Sequence, residues 1–263
     1  MARQDRKLAD FDAVKIHALA LTRAKGTGSF LAKDALRATL AIIDLDHLTP
    51  LCRNELISTL LDETEITRIN MFKHVKRQQS FTGGRLAAKL ALQTHCNSFD
   101  PRQARIENGV FDQPLVSAKT GGMNDLGISV SHSEHYAVAL VFHRGHPMGI
   151  DVDRPSLNDA KLLLPDLTPA VADMLAGLAL ADQAAASLMW VARESLGKTL
   201  TTGMMTPLSI YAPSAIKMQN GFFVVHYENF SQYQTLLWPG AKGWLGLTLP
   251  RETTFNPLSF HWD

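Results

Sequence analysis

The stretch from Ile128 to Val152 constrains the fold more than any other part of the chain. Ile128-Ser129-Val130-Ser131-His132-Ser133 alternates apolar and small polar residues, the period of a half-buried strand. Ala137-Val138-Ala139-Leu140-Val141-Phe142 is apolar throughout, as a strand covered on both faces must be. His143-Arg144-Gly145-His146-Pro147 makes a turn, and Met148 to Val152 reads as the next strand. A strand covered on both faces belongs inside a layered fold, not at a surface.

The end of that third strand carries chemistry. In Met148-Gly149-Ile150-Asp151-Val152-Asp153 the period of two turns both carboxylates to one side. In Trp190-Val191-Ala192-Arg193-Glu194-Ser195-Leu196-Gly197-Lys198, helical spacing puts Trp190, Glu194 and Lys198 on one face. Two strand carboxylates, a helix carboxylate and an ammonium one turn on suit a hard divalent ion held against a phosphorylated ligand. Magnesium takes a few carboxylates and completes its octahedron with phosphate oxygens and water.

Composition narrows the setting. Lys+Arg is 26 against Asp+Glu 25, so bulk attraction to nucleic acid or to acidic membranes is not supported. Any phosphate binding has to come from local clusters. Cys52 and Cys96 form no metal-ligand spacing, which fits a reducing cytoplasm. Residues 1–12 are charged and lack a signal-peptide core, and no run approaches the ~18 apolar residues of a membrane helix. The expectation is a soluble, monomeric cytoplasmic protein that binds neither nucleic acid nor membrane.

Residues 1–45 carry basic residues and then an Ala/Leu-rich helical pattern. Arg53 to Phe72 repeats apolar residues at helical spacing. The basic stretch Lys73 to Arg77 leads into an alanine-rich helix over Ser80–Leu92. Arg77, Arg85 and Lys89 either converge on one ligand or form a solvated basic face. Residues 97–125 read as loop, and 159–200 as mostly helical, broken at Pro165 and Pro169. After a loop over Thr201–Pro207, short strands are expected at 208–211, 222–227, 234–237 and 244–249. The order is helices, strands, helices, strands: an α+β fold of two units in succession, with no short-period repeat.

Taken singly these motifs are weak. Asp-x-Asp often caps a strand, Glu-to-Lys at four residues is a common surface pair, and His132 between serines also suits a satisfied core histidine. Taken together and in order they are specific. Gly149-Ile150-Asp151-Val152-Asp153 followed by Trp190-x-x-Arg193-Glu194-Ser195-x-x-Lys198 resembles the paired signature of the surfactin-type 4′-phosphopantetheinyl transferases. Ser131-His132-Ser133 resembles that family's Ser-His element, and Arg77 through Lys89 its Gly-Arg helix. The arrangement is most similar to members serving siderophore synthesis, and the resemblance runs from about Lys76 to Pro207.

That resemblance implies two similar α+β halves related by a pseudo-twofold, roughly 1–145 and 146–263, with the active site in the cleft between them. It implies transfer of the phosphopantetheine arm of coenzyme A to a serine of an apo acyl or peptidyl carrier protein, releasing adenosine 3′,5′-bisphosphate. The resemblance leaves fatty-acid, polyketide, nonribosomal peptide and siderophore synthesis open as client pathways and favours the last two. Asp151, Asp153 and Glu194 would hold Mg2+, Glu194 would deprotonate the serine, and Lys198 would stabilise the departing phosphate. His132 would donate to a coenzyme A phosphate, Arg77 and Arg85 would take the 3′-phosphate, and Ser131 would lie at the adenosine end. The first half would thus be the 3′-phosphate side and the second the metal and catalytic side.

Three positions depart from the family's usual pattern. Arg193 stands where many members have lysine, Asp153 where many have glutamate, and Asp112-Gln113-Pro114 where many have Gly-Lys-Pro. Three rival readings remain: a catalytically degenerate member that only binds coenzyme A or a carrier, a serine acyl-transfer enzyme, and an α+β domain whose acidic residues merely cap elements. The second rests on Ser195-Leu196-Gly197-Lys198 as S-x-x-K and Lys119-Thr120-Gly121 as K-T-G, in the wrong order for that class.

Overall fold

The computed structural model describes residues 12–23, 37–97, 99–118, 123–164, 167–257, 260, 262 and 263. The segment that constrained the fold forms β6 (Leu126–His132), β7 (Tyr136–His143) and β8 (Gly149–Asp153). Upstream lie β1 (Val14–Ala20), β2 (Thr22–Arg23), β3 (Arg37–Asp44), α1 (Pro50–Leu60), α2 (Glu63–Met71), α3 (Val75–His95), β4 (Ala104–Asn108) and β5 (Pro114–Ala118). Downstream lie α4 (Leu157–Leu163), α5 (Pro169–Ala176), α6 (Asp182–Leu200), β9 (Pro213–Gln219), β10 (Phe222–Tyr227), β11 (Tyr233–Gly240), β12 (Gly243–Pro250) and β13 (Thr253–Thr254).

Two antiparallel sheets carry the structure, ordered β1-β3-β7-β6 and β8-β12-β11-β10-β9. Their windings match. β3 leads through α1, α2 and α3 to β6 and β7, and β7 closes beside β3. β8 leads through α4, α5 and α6 to β9–β12, and β12 closes beside β8. The fold is α+β, as the element order implied.

Alternation decides what each strand faces. Leu40 and Ile42 of β3, Val138 and Leu140 of β7, and Ile150 and Val152 of β8 share one core with Leu245, Leu247 and Trp262. The two sheets therefore lie face to face over that core. The opposite face of the first sheet packs Ala41, Ile43 and Ala139 against Leu86 and Leu90 of α3. The opposite face of the second packs Phe223, Val225 and Leu237 against Leu188, Val191 and Ala192 of α6. Helices thus cover both outer faces.

The N-terminal reading is corrected. β1 and β3 are strands, where Ala/Leu composition suggested helix. β3 lies between β1 and β7 with its six central residues buried, so packing on both faces overrides a propensity difference of tenths of a kcal/mol per residue. The helical stretch to Phe72 divides at Leu61-Asp62, because Asp62 forms a reciprocal capping box with Glu65 and starts a new helix. Residues 104–118, read as loop, make the β4–β5 hairpin. Pro169 starts α5 behind the Thr168 cap instead of breaking a helix. Leu208–Tyr211 is a 3-10 turn, and the strand follows it as β9. Pro165 and Lys119-Thr120-Gly121 lie outside the described residues. Among the described residues no helix is long and apolar enough to cross a membrane.

Candidate active site

Because Ile150 and Val152 face the other sheet, Gly149, Asp151 and Asp153 face α6. Glycines set how close the helix comes. A Cβ on Gly149 would sit 2.3 Å from the Ser195 carbonyl oxygen, and one on Gly246 would sit 2.6 Å from Val191 Cγ1. Below the helix runs a buried chain of hydroxyls. Tyr227 Oη donates to the Ala192 carbonyl at 2.9 Å, Thr248 Oγ1 donates to Ser195 Oγ at 2.9 Å, and Ser195 Oγ donates to Ala192 at 3.1 Å. Ser195 is fully buried, so the acyl-serine reading is corrected: this hydroxyl seats the helix on β12 and no substrate reaches it.

With α6 held there, Lys198 Nζ donates to Asp151 Oδ1 at 2.5 Å. Ser131 Oγ, at the end of β6 in the first sheet, donates to the same oxygen at 2.6 Å. The contact makes Asp151 a point where the first sheet meets the second and its helix. Asp151 is 4% exposed, and its other oxygen, Oδ2, is buried without a hydrogen-bond partner. Asp153 accepts from the Arg154 amide at 2.8 Å and from the Trp190 indole Nε1 at 3.0 Å.

The field at this point is short of positive charge. Burial raises the Glu194 pKa, Asp151 and Asp153 raise it further, and Lys198 offsets only part of that. Burial likewise raises that of Asp153, with Asp151 adding to it against the Arg154 and Trp190 hydrogen bonds. Glu194 and Lys198 line a cavity of about 560 Å³ whose other wall is Ser129, Val130, Pro114 and Phe111.

Arg77, Arg85 and His132 meet in a second cavity of about 220 Å³, together with Arg68 and Phe81. The two cavities share Asp112, Pro114 and Val130 as a common wall. Arg85 is 7% exposed, its guanidinium lies over the Phe81 ring at 5.1 Å, and Nη1 has no hydrogen-bond partner. Surrounding protein, then the charges of Lys198 and Arg77, lower the His132 pKa although its side chain reaches solvent. The neutral imidazole therefore dominates at neutral pH until an anion arrives.

The convergence of Arg77, Arg85 and Lys89 on one ligand is corrected for Lys89. Its ammonium is fully buried and bound by Glu65 at 2.9 Å and by the carbonyls of Pro101 and Ala104, each at 2.8 Å. It staples α3 to α2 and to the β4 entry. Arg193 is also buried, on the side of α6 away from solvent. Gln113 braces the β4–β5 turn, accepting from the Phe111 amide at 2.8 Å. Sequence reasoning placed Trp190 beside Glu194 and Lys198 without giving it a task; its indole orients Asp153. It missed Ser129, whose hydroxyl accepts from the Ile150 amide at 3.1 Å and ties β6 to β8. The Ser-x-Ser alternation at 129 and 131 was the available signal.

Among the described residues no three His, Cys, Asp or Glu side chains are close enough to hold a metal ion by themselves. The residues present still fit a magnesium that shares its shell with substrate. Asp151 offers a buried, unpartnered oxygen, and Glu194 and Asp153 carry carboxyls with raised pKa whose ionised form a nearby cation would favour.

No protein-family model matches the chain, and no curated protein matches it. Solved structures similar to it include a holo-(acyl-carrier-protein) synthase from Bacillus anthracis str. Ames in complex with CoA (3′,5′-ADP), at 23% identity and a TM-score of 0.34. That match covers 40% of this chain and 91% of the other. The holo-ACP-synthase of Plasmodium yoelii is also similar, at 13% identity and a TM-score of 0.33, covering 49% of this chain and 96% of that one. Each overlap spans less than half of this chain, and what the site can do rests on its own geometry.

Proposed function

We propose that this protein transfers the 4′-phosphopantetheine arm of coenzyme A to a serine of an apo carrier domain, with Mg2+ as cofactor. One observation carries the reading: an under-neutralised carboxylate cluster around Asp151 with a single lysine, opening beside a wall shared with an arginine-lined pocket. A ligand with a diphosphate and a separate phosphate monoester suits that layout. The monoester belongs with Arg77 and Arg85, whose forked donors match three phosphate oxygens, and His132 donates beside them. Residues 1–145 thereby form the 3′-phosphate side and 146–263 the metal and catalytic side.

Asp151 and Glu194 would hold the metal, with Asp153, already committed to Arg154 and Trp190, acting through water. When bound, the ion neutralises diphosphate charge and polarises the phosphorus under attack. The chain's own residues do the rest. Glu194, its pKa raised, takes the proton from the acceptor serine. The serine oxygen forms a bond to the phosphorus bearing the pantetheine arm, and that phosphorus releases the bridging oxygen. The electron pair leaves with adenosine 3′,5′-bisphosphate, whose new charge Lys198 balances. Ser131 keeps Asp151 aligned from the other half. The acceptor would approach between Phe111, with the exposed Val110 at the hairpin tip, and the Thr201–Met205 loop, whose Met205 is also exposed.

The test is incubation of the full chain with coenzyme A, Mg2+ and a panel of apo carrier domains from fatty-acid, polyketide and peptide synthesis. Mass spectrometry should report a phosphopantetheine adduct on a carrier serine, abolished by chelation. Absence of adduct on every carrier overturns the proposal.

A further inference from the structure

The proposed reaction asks two things of Lys198 that one ammonium cannot do at once. It must meet the departing phosphate, yet it lies 2.5 Å from Asp151 Oδ1. Its four-carbon stem is partly solvent-exposed, at 26%, while Asp151 beneath it is buried. The ammonium can therefore swing and the carboxylate cannot. Ser131 holds the same oxygen at 2.6 Å and remains as a donor if the lysine leaves.

We propose that Lys198 is a captive counter-ion: it stays on Asp151 Oδ1 until a divalent cation takes the unpartnered Oδ2 beside it, and only then is it released toward the diphosphate. The proposal rests on the transferase reading for the destination of the lysine, not for its displacement. The driving force is direct. A divalent ion at Asp151 places like charge beside the ammonium and removes the lysine's share of the carboxylate. Coupling of this kind is reciprocal, so a cation that weakens the Lys198–Asp151 pair is itself weakened by it. The lysine thereby keeps the negative cluster partly neutral when no substrate is present and links its own delivery to metal loading.

The prediction is counter-intuitive for a catalytic lysine: its loss should improve metal binding. With coenzyme A absent, Mn2+ titration by calorimetry or electron paramagnetic resonance should give Lys198→Met an affinity higher than wild type by on the order of tenfold. Arg144→Met controls for net charge, because Arg144 lines the same cavity while the hydrogen bonds to Asp151 Oδ1 come from Lys198 and Ser131, and it should change Mn2+ affinity far less. In wild type, the Lys198 ammonium nitrogen resonance should shift on Mg2+ addition, again without coenzyme A. Equal gains for the two variants, or a Lys198 resonance that ignores Mg2+, would overturn the exchange. If the ion displaces Lys198 but no carrier is ever modified, the transferase reading fails and the exchange stands. If carriers are modified while Lys198 stays on Asp151, the exchange alone fails.

Discussion

The molecule contains two Ile-Asp-aliphatic-Asp strand ends, and they have opposite fates. Ile43-Asp44-Leu45-Asp46 closes β3, and Ile150-Asp151-Val152-Asp153 closes β8. In β3 it is Ile42 that faces the other sheet and Ile43 that faces α3, so Asp44 falls on the inter-sheet side. In β8 the parity is reversed, and Asp151 looks at its helix. One residue of register moves the same tetrapeptide to the other face. At the first end Lys242, from the β11–β12 turn, bridges Asp46 Oδ2 at 2.8 Å and Asp44 Oδ2 at 3.2 Å. His135 and His47 lie 3.0 and 2.9 Å from those acids. Partial burial of Asp44 opposes its ionisation, but hydrogen bonds from His47, Lys242 and the backbone prevail and lower its pKa. The Lys242 hydrogen bond lowers that of Asp46. The first cluster is electrostatically complete. The second has the opposite signs, with Glu194 and Asp153 raised, so its own cations do not balance it.

The largest expected effect falls on the incomplete cluster. Glu194→Gln should cost roughly 10²–10⁴ in turnover, the usual range for a lost general base, with an unchanged melting temperature. Asp46→Asn, at the complete cluster, should leave kcat unaltered; a comparable loss there would break the contrast. Next comes Arg85→Ala, read as a ratio. Coenzyme A affinity should fall on the order of tenfold or more, for a lost charge-assisted contact, while 3′-dephospho-coenzyme A loses much less. Equal losses would move the monoester elsewhere.

The pH profile sharpens the same contrast with a smaller signal. Glu194 must be ionised to accept a proton, so kcat should fall as pH drops through its pKa. Because burial and the neighbouring aspartates raise that pKa, the acid limb should lie above the ordinary glutamate range, near 4.3. Saturating Mg2+ should move it back down, since a cation favours the carboxylate. A limb at the ordinary glutamate value even at subsaturating Mg2+ would remove the raised carboxyl from the mechanism.

How much of this was legible in the sequence follows from what each signal depended on. β8 and the Trp190–Glu194–Lys198 face of α6 were legible because their patterns are local: a period of two around Asp151, and four-residue spacing through Trp190, Glu194 and Lys198. Arg85 and Lys89 look alike at helical spacing. They differ because Glu65 approaches both, but the carbonyls of Pro101 and Ala104 arrive from elsewhere and close over Lys89 alone. β1 and β3 were misread because composition reports propensity, whereas their state is fixed by partners brought in across β7. The Asp44–Asp46 pair shows the limit most clearly. Its tetrapeptide repeats that of β8 almost letter for letter, and only strand parity and the distant Lys242 separate them.

The smallest effect should come from breaking the complete cluster. Lys242→Met removes the only ammonium within reach of Asp44 and Asp46 among the described residues, and takes a cation off the Tyr136 ring, 5.8 Å away. The site is at the surface, so the melting temperature should fall slightly, and by less at high salt. The pH dependence gives the sign. Both aspartates have lowered pKa values in the folded protein, so their contribution is present above the ordinary aspartate range and disappears as pH falls through the lowered values. Lys242 has a raised pKa, led by its hydrogen bond to Asp46, so its share persists at neutral pH and is lost only as pH rises through that raised value. The variant should therefore differ from wild type across the neutral range and converge with it in strong acid. Turnover should not change, because this cluster neither faces α6 nor lines the Glu194 cavity. A Lys242→Met variant that kept its stability but lost activity would mean that the two strand ends are coupled through the shared inter-sheet core, and that the first is part of the machinery after all.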